Sequence, residues 1–357
     1  MSIRYISMCA AILIGWGASL QAQTEVRRYN ATADTDYGVV YRLPRTQLEV
    51  IATVRERIYT PGVYAIWAEK YLGVSMPSAA DRRHEIVDVQ IRAYGVADTE
   101  KQYLIAFDKR TIAPFVSLGQ NNLIYNINGR EDAQTEAKPQ LPKAMLPDRV
   151  LPALPREYSL ATSEAKQAEL AAAYLYEVRE AAMSIITGEV ESMPKDGESM
   201  RLILDKLRTE EKRTLRLFAG DTTERYTQHS WEITPETENM NDRILCRFSE
   251  AEGVIDAAAQ EGYPILFSLH ITERTPELSD KDRKKQEKLE GITYNVPGAG
   301  VVTIGYLGNT LAKQSVPITQ VGGVQVLSKK MFNVKDAGVT AIYFDPNTGA
   351  LERIVNE

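Results

Sequence analysis

Two cysteines and three histidines in 357 residues leave little material for a disulfide framework, a metal site or a histidine-based catalytic set. No segment is strongly basic. Lys and Arg total 42 against 48 Asp and Glu, a formal net charge of −6, which argues against a nucleic-acid groove. Hydrophobic residues at 44% and charged residues at 25% exclude global disorder, collagen-like repeats and a multi-span membrane protein. At about 100–200 residues per domain, the length leaves room for two domains with a sizeable core.

Residues 1–22 read as an address. Arg4 is the only charge before Glu25, an apolar run follows from Met8 to Leu20, and Leu20-Gln21-Ala22 places a small residue before Gln23. This is the layout of a cleaved export signal, and the run is too short to span a bilayer. No later segment looks transmembrane. Loss of the signal removes Cys9 and leaves Cys246 as a lone thiol, which cannot form an intramolecular disulfide. Cys246 alternates with Ile244 and Phe248 in a strand pattern, so it is expected as a small buried hydrophobe.

Residues 23–137 read as a β-rich region. Segments 37–43, 47–57, 85–94 and 102–107 are rich in β-branched and aromatic residues, and 121–128 is a further strand candidate closed by Gly129. Val87, Val89 and Ile91 alternate with Asp88, Gln90 and Arg92, the period of a half-buried strand. Between the strands, Thr60-Pro61-Gly62 is a turn and residues 64–72 suit a short helix stopped by Gly73. On that helix Tyr64, Trp67 and Tyr71 fall at helical spacing, a candidate aromatic binding surface, although such stripes are mostly core.

Residues 138–160 are expected as a connector, and the prolines between 138 and 155 (Pro139, Pro142, Pro147, Pro152 and Pro155) exclude a helix or a central strand there. A helical hairpin is expected over 161–220. Ser163 and Asp196 are the N-caps, Gly188 and Gly220 the stops, and apolar residues recur every three or four positions. The strand pattern returns over 221–357, in segments 225–234, 244–248, 265–272, 301–307, 316–320, 339–344 and 351–355. Asp345-Pro346-Asn347-Thr348-Gly349 supplies a hairpin turn between the last two, and the charged stretch 279–290 is a solvated loop or short helix. The class that follows is α+β: two β-rich regions of sandwich or barrel type, separated by a proline-rich connector and an antiparallel helical hairpin.

One pattern occurs twice. Gly38-Val39-Val40-Tyr41-Arg42-Leu43-Pro44 and Gly291-Ile292-Thr293-Tyr294-Asn295-Val296-Pro297 share G-[VI]-x-Y-x-[LV]-P. The tyrosine and the second aliphatic residue lie on one face, and proline is expected to end the pairing at the strand's edge. Two similar strand corners and an internal duplication both account for it.

The chain resembles an uncharacterised secreted family of Bacteroidota, domain-of-unknown-function family 4831. The resemblance is carried by the first motif with Tyr37, by Pro61-Gly62-Val63-Tyr64 through Tyr71-Leu72-Gly73, and by Ile186-Thr187-Gly188-Glu189 and Leu217-Phe218-Ala219-Gly220. Near the end it rests on the second motif and on Phe344-Asp345-Pro346-Asn347-Thr348-Gly349-Ala350-Leu351. It implies export to the periplasm or outer membrane of a Gram-negative cell. It brings no catalytic residue.

Catalytic signatures fail one by one. His84-Glu85-Ile86-Val87-Asp88 begins like a zinc motif but has Asp88 in place of the second histidine and enters a strand. Ser163-Glu164-Ala165-Lys166 matches S-x-x-K without its partner signatures, and Ser163 is already explained as a cap. Residues 345–349 lack calcium-loop spacing. Val296-Pro297-Gly298-Ala299-Gly300-Val301 precedes no helix, so it reads as a turn rather than a phosphate cradle. No cofactor or metal is therefore expected.

The expectation is a non-catalytic envelope protein that binds or scaffolds a protein or glycan partner through β surfaces, with 18 tyrosines as contact material. Two alternatives stand beside it. One is an envelope hydrolase working on glycan or peptide through a carboxylate pair, and the other a structural subunit of a secretion or outer-membrane assembly.

Overall fold

The computed structural model describes residues 25–28, 38–106, 115–129, 140–146, 148, 150–189, 196–276, 279–287, 291–328 and 340–356. Residues 1–22, with Cys9, lie outside the described residues, as do Pro139 and Pro147 of the connector. Among the described residues no helix is long and apolar enough to cross a membrane.

Strands dominate, in three antiparallel sheets. The first has the order β1 (Glu25–Arg28), β3 (Asp81–Ala106), β2 (Gly38–Thr60), β6 (Asp221–Ile233). The second runs β11 (Asn309–Ser328), β10 (Gly291–Tyr306), β9 (Tyr263–Glu273), β7 (Met240–Ser249), β8 (Gly253–Ile255). The third is β13 (Leu351–Asn356), β12 (Thr340–Phe344), β5 (Ile124–Ile127), β4 (Val116–Leu118). The class is α+β, as expected, and the two β-rich regions of the chain share their cores. Leu48, Val50 and Val54 of β2, Ile91 of β3 and Ile233 of β6 meet Phe267, Leu269, Val302, Ile304, Val316 and Ile318 from the second sheet in one cluster. The first two sheets are thus the layers of one sandwich. The third sheet joins the two halves directly, because β5 pairs with β12.

The two copies of the repeated motif open β2 and β10, and each opens a long hairpin. Gly38 and Gly291 lie where backbone presses closest: a Cβ would come 2.2 Å from the Ile105 carbonyl oxygen and 1.9 Å from that of Leu327. Strand pairing does not end at the prolines, as the sequence suggests. The β2–β3 ladder passes from Arg42–Gln102 to Pro44–Ala97, so residues 98–101 bulge out. The β10–β11 ladder passes from Val296–Gly323 to Gly298–Ile318, so residues 319–322 bulge out. A bulge in the partner strand is the natural answer to a proline, which has no N–H to give to the ladder.

The two copies also touch. The Tyr41 hydroxyl donates to the Thr293 carbonyl at 3.1 Å and accepts from the Thr293 N–H at 3.0 Å, with Tyr41 fully buried. The Asn295 side-chain amide donates to the Pro44 and Thr348 carbonyls, both at 2.8 Å. Tyr41, Leu43, Ile105, Ile124, Ile127, Ile292, Leu327, Ile342 and Phe344 form a second core between the motif ends and the third sheet. The turn at 345–349 is wound around the Asp345 carboxylate, which accepts from the Asn347 N–H at 2.7 Å. It is seated in that junction, with Thr348 buried.

Helices occupy one end of the sandwich: α1 (Ala68–Leu72), α2 (Arg156–Leu160), α3 (Glu164–Thr187) and α4 (Gly197–Ala219), with α5 (Asp280–Glu287) apart from them in the charged stretch. The N-caps are those the sequence indicates: Ser163 accepts from the Lys166 N–H, and Asp196 from the Ser199 N–H. The α3–α4 hairpin is antiparallel, its open end packed around Phe218, Ala168, Ala171 and Ala172.

Three local expectations are corrected, all by irregular pairing. Val87 does not join Val89 and Ile91 against the core. A bulge between Thr53 and Val54 leaves it unpaired on β3 and 40% exposed. Ile244 is likewise exposed, because the β7–β9 register shifts between Ile244 and Cys246 and turns Leu245 and Cys246 inward. Residues 296–301 are not a turn but continuous strand. Gly300 lets the Ile318 and Leu269 side chains close over it, where a Cβ would approach to 2.7 and 2.9 Å.

Candidate binding site

Tyr64, Trp67 and Tyr71 are brought together at the foot of the helical hairpin, on the 3-10 turn Ala65–Trp67 and α1. They do not form one open aromatic face. Tyr64 is 4% exposed, its N–H donates to the Leu217 carbonyl at 2.8 Å, and its hydroxyl is bonded to that of Tyr158. Burial and the Tyr158 hydroxyl together raise its pKa well above the usual phenol value. The Tyr71 hydroxyl donates to the Ala165 carbonyl at 3.1 Å. Trp67 and Tyr71 are half-buried, with the Lys70 ammonium 5.8 and 4.9 Å from their ring centres. The stripe is the joint between α1 and the hairpin, and Tyr64 presents almost no surface to a partner.

A second concavity lies at the C-terminal end of α4, lined by Lys212, Arg213, Arg216, Asp148 and Asp221. Its guanidiniums are already engaged. Arg213 meets Asp148 at 2.8 Å and Glu210 at 3.1 Å, while Arg216 donates to the Val150 carbonyl and meets Asp221. These contacts tie the connector to the hairpin.

A different surface has the features of a ligand site. On β2, Leu48, Val50 and Val54 face the sandwich core, so Glu49, Ile51, Thr53 and Arg55 lie on the opposite face, where Glu49, Ile51 and Thr53 are nonetheless buried. The register sets Thr53 between Asp88 and Gln228, and Arg55 between Glu85 and Tyr226. The connector crosses nearby and is clipped to the sheet by two hydrogen bonds between Met145 and Glu224, each 3.0 Å. Thr53, Arg55, Val87, Asp88, Gln90, Tyr226 and Gln228, with Gln140 and Pro142 of the connector, enclose an open cleft of about 340 Å³. That is within the ~300–1,000 Å³ range of ligand pockets.

The polar groups of the cleft are mutually ordered. Gln90 donates to the Asp88 carboxylate at 2.7 Å, and the Tyr226 hydroxyl donates to Glu224 at 3.1 Å. Arg55 is paired with Glu85 and lies 3.5 Å from Glu224. Its Nε is buried and has no partner among the described residues. Burial pushes the Cys246 thiol up to about 12, and His229 is lowered by burial within its strand. The carboxyls displaced from their usual range, Asp148 and Asp196, are both lowered, chiefly by backbone N–H donors. Among the described residues no three His, Cys, Asp or Glu side chains gather where they could hold a metal ion.

The sequence pointed to the aromatic stripe and missed the cleft. The available signal was the polar alternation Asp88, Gln90, Arg92, which needed the register with β2 and β6 before it became a surface.

Fold and cleft together define an α+β protein with a β-sandwich whose outer face carries a polar recess. The chain belongs to the family described as Domain of unknown function (DUF4831), which matches residues 37–352. Neither the curated proteins nor the solved structures gave a match to it.

Proposed function

We propose that this is a non-catalytic binding or scaffold protein of the cell envelope, exported by its N-terminal segment, and that it engages a glycan or protein partner through the cleft on the first sheet. One observation supports the reading: a concave polar surface with several of its polar side chains held by one another or by adjoining carboxylates. Preordered polar groups favour binding because less side-chain freedom is lost when a ligand arrives. Residues 1–22 and the family resemblance support an envelope location of the kind found in secreted Bacteroidota proteins.

The test is cross-linking of the tagged full chain in its native envelope, followed by mass spectrometry of what is captured. A dominant component lost from a Gln90→Ala/Gln228→Ala variant is expected. Capture of the same component by the variant would move the site elsewhere, and capture of nothing by the wild type would remove the binding reading.

A further inference from the structure

We propose that the cleft on the first sheet is a site for a neutral saccharide, one or two rings of a glycan chain; this rests on the binding reading above. Charge narrows the ligand first. One guanidinium, Arg55, stands among three carboxylates, those of Glu85, Asp88 and Glu224. An anionic ligand such as a phosphate or a uronate would enter an acidic surface whose one lining cation among the described residues is already paired. A cationic ligand fares little better, because Glu85 and Glu224 are held by Arg55 and Asp88 accepts from Gln90. What remains is an uncharged ligand with many hydroxyls.

The lining suits that chemistry. Gln90, Gln140 and Gln228 each carry a donor and an acceptor on one flat group, which matches the spacing of neighbouring hydroxyls on a sugar ring. Tyr226 adds a further hydroxyl. A pyranose also has an apolar C–H face, and the Tyr226 ring, Val87 and Pro142 supply apolar surface in the same recess. The bulge that exposes Val87 therefore has a use: it sets an aliphatic side chain into an otherwise polar recess. A cleft of about 340 Å³ limits the ligand to a short stretch of glycan.

The experiment is an array of neutral and uronate-containing oligosaccharides probed with the purified full chain, followed by titration calorimetry with the best neutral binder. Retention of neutral sugars with rejection of uronates is expected. Gln90→Ala and Gln228→Ala should each weaken binding at least tenfold, and Tyr226→Ala more than Tyr226→Phe, while thermal melts stay unchanged. Preference for uronates, or sugar binding that the three alanine variants leave intact, would overturn the assignment. If no sugar binds but envelope capture still depends on Gln90 and Gln228, the saccharide inference fails and the binding reading survives. If that dependence is absent too, both fail.

Discussion

The two copies of the G-[VI]-x-Y-x-[LV]-P motif solve the same local problem and then diverge in what they do with the solution. In each, proline interrupts a long hairpin and the partner strand bulges by a short loop, 98–101 in one and 319–322 in the other. The first loop is turned out to solvent: Thr99 and Glu100 are exposed, and the Glu100 N–H donates to the Asp98 carboxylate. The second is turned in: Thr319 and Val321 are buried, and Thr319 and Gln320 clasp Thr46, just past the proline of the first copy. The tyrosines differ in the same sense. Tyr41 is buried and bonded across to the second copy, whereas Tyr294 is half-buried and donates to Gln325 on its own hairpin. A repeated sequence thus need not mean a repeated role. The first copy receives contacts at its tyrosine and the second delivers them from its bulge.

Substitutions in matched positions put that asymmetry to the test. The largest contrast is expected at the sixth motif position. Leu43→Ala removes a fully buried side chain and should cost about 2–5 kcal/mol, against about 1 kcal/mol for Val296→Ala, which is half-buried. Urea titrations of the two variants would measure it, and equal losses would break the comparison. Next come the tyrosines. Tyr41→Phe strands the Thr293 N–H and carbonyl in the core and should cost about 1–3 kcal/mol. Tyr294→Phe should change stability by no more than about 0.5 kcal/mol.

Alkali separates the same pair. Burial raises the Tyr41 pKa far above its ordinary value of 10.0, and raises that of Tyr294 less. The folded state therefore holds the Tyr41 proton at a pH where the unfolded chain has released it. The stability from this group is complete below about pH 10 and declines as pH rises beyond it. Tyr41→Phe should flatten the alkaline fall in stability, and Tyr294→Phe should leave most of it. The smallest contrast lies in the bulges. Thr319→Val removes the hydroxyl oxygen that accepts from the Thr46 N–H and should cost about 1–2 kcal/mol, whereas Asp98→Ala should stay within about 0.5 kcal/mol.

Local chemistry was legible in the sequence wherever a residue acts on its own neighbourhood. Ser163 and Asp196 cap the helices they precede, Gly188 closes α3 in a left-handed conformation, and Asp345 winds the last turn. The pairing errors share one cause. Period-2 reading assumes an unbroken ladder, and a single unpaired residue at Val87 or beside Cys246 resets which face every later side chain takes. The cleft was hidden for a different reason. Thr53, Gln90 and Gln228 come from three strands far apart in the chain, and only their register makes them neighbours. The aromatic stripe was visible as a stripe, but Phe218 and Tyr158, which cover Tyr64, come from elsewhere.

Tyr41 and Thr293 lie 252 positions apart, and β5, paired on one edge with the nearby β4, takes β12 as its neighbour on the other. A ribosome that has made the first strands has therefore made neither the groups that seal their core nor the sheet that covers it. Until residues 340–344 emerge, Ile124 and Ile127 have no Ile342 or Phe344 to pack against. Such distant pairing folds slowly and late, after synthesis rather than during it. Until its two ends meet, the part of the newborn chain that awaits these contacts is open to whatever holds, moves or degrades unfolded polypeptides.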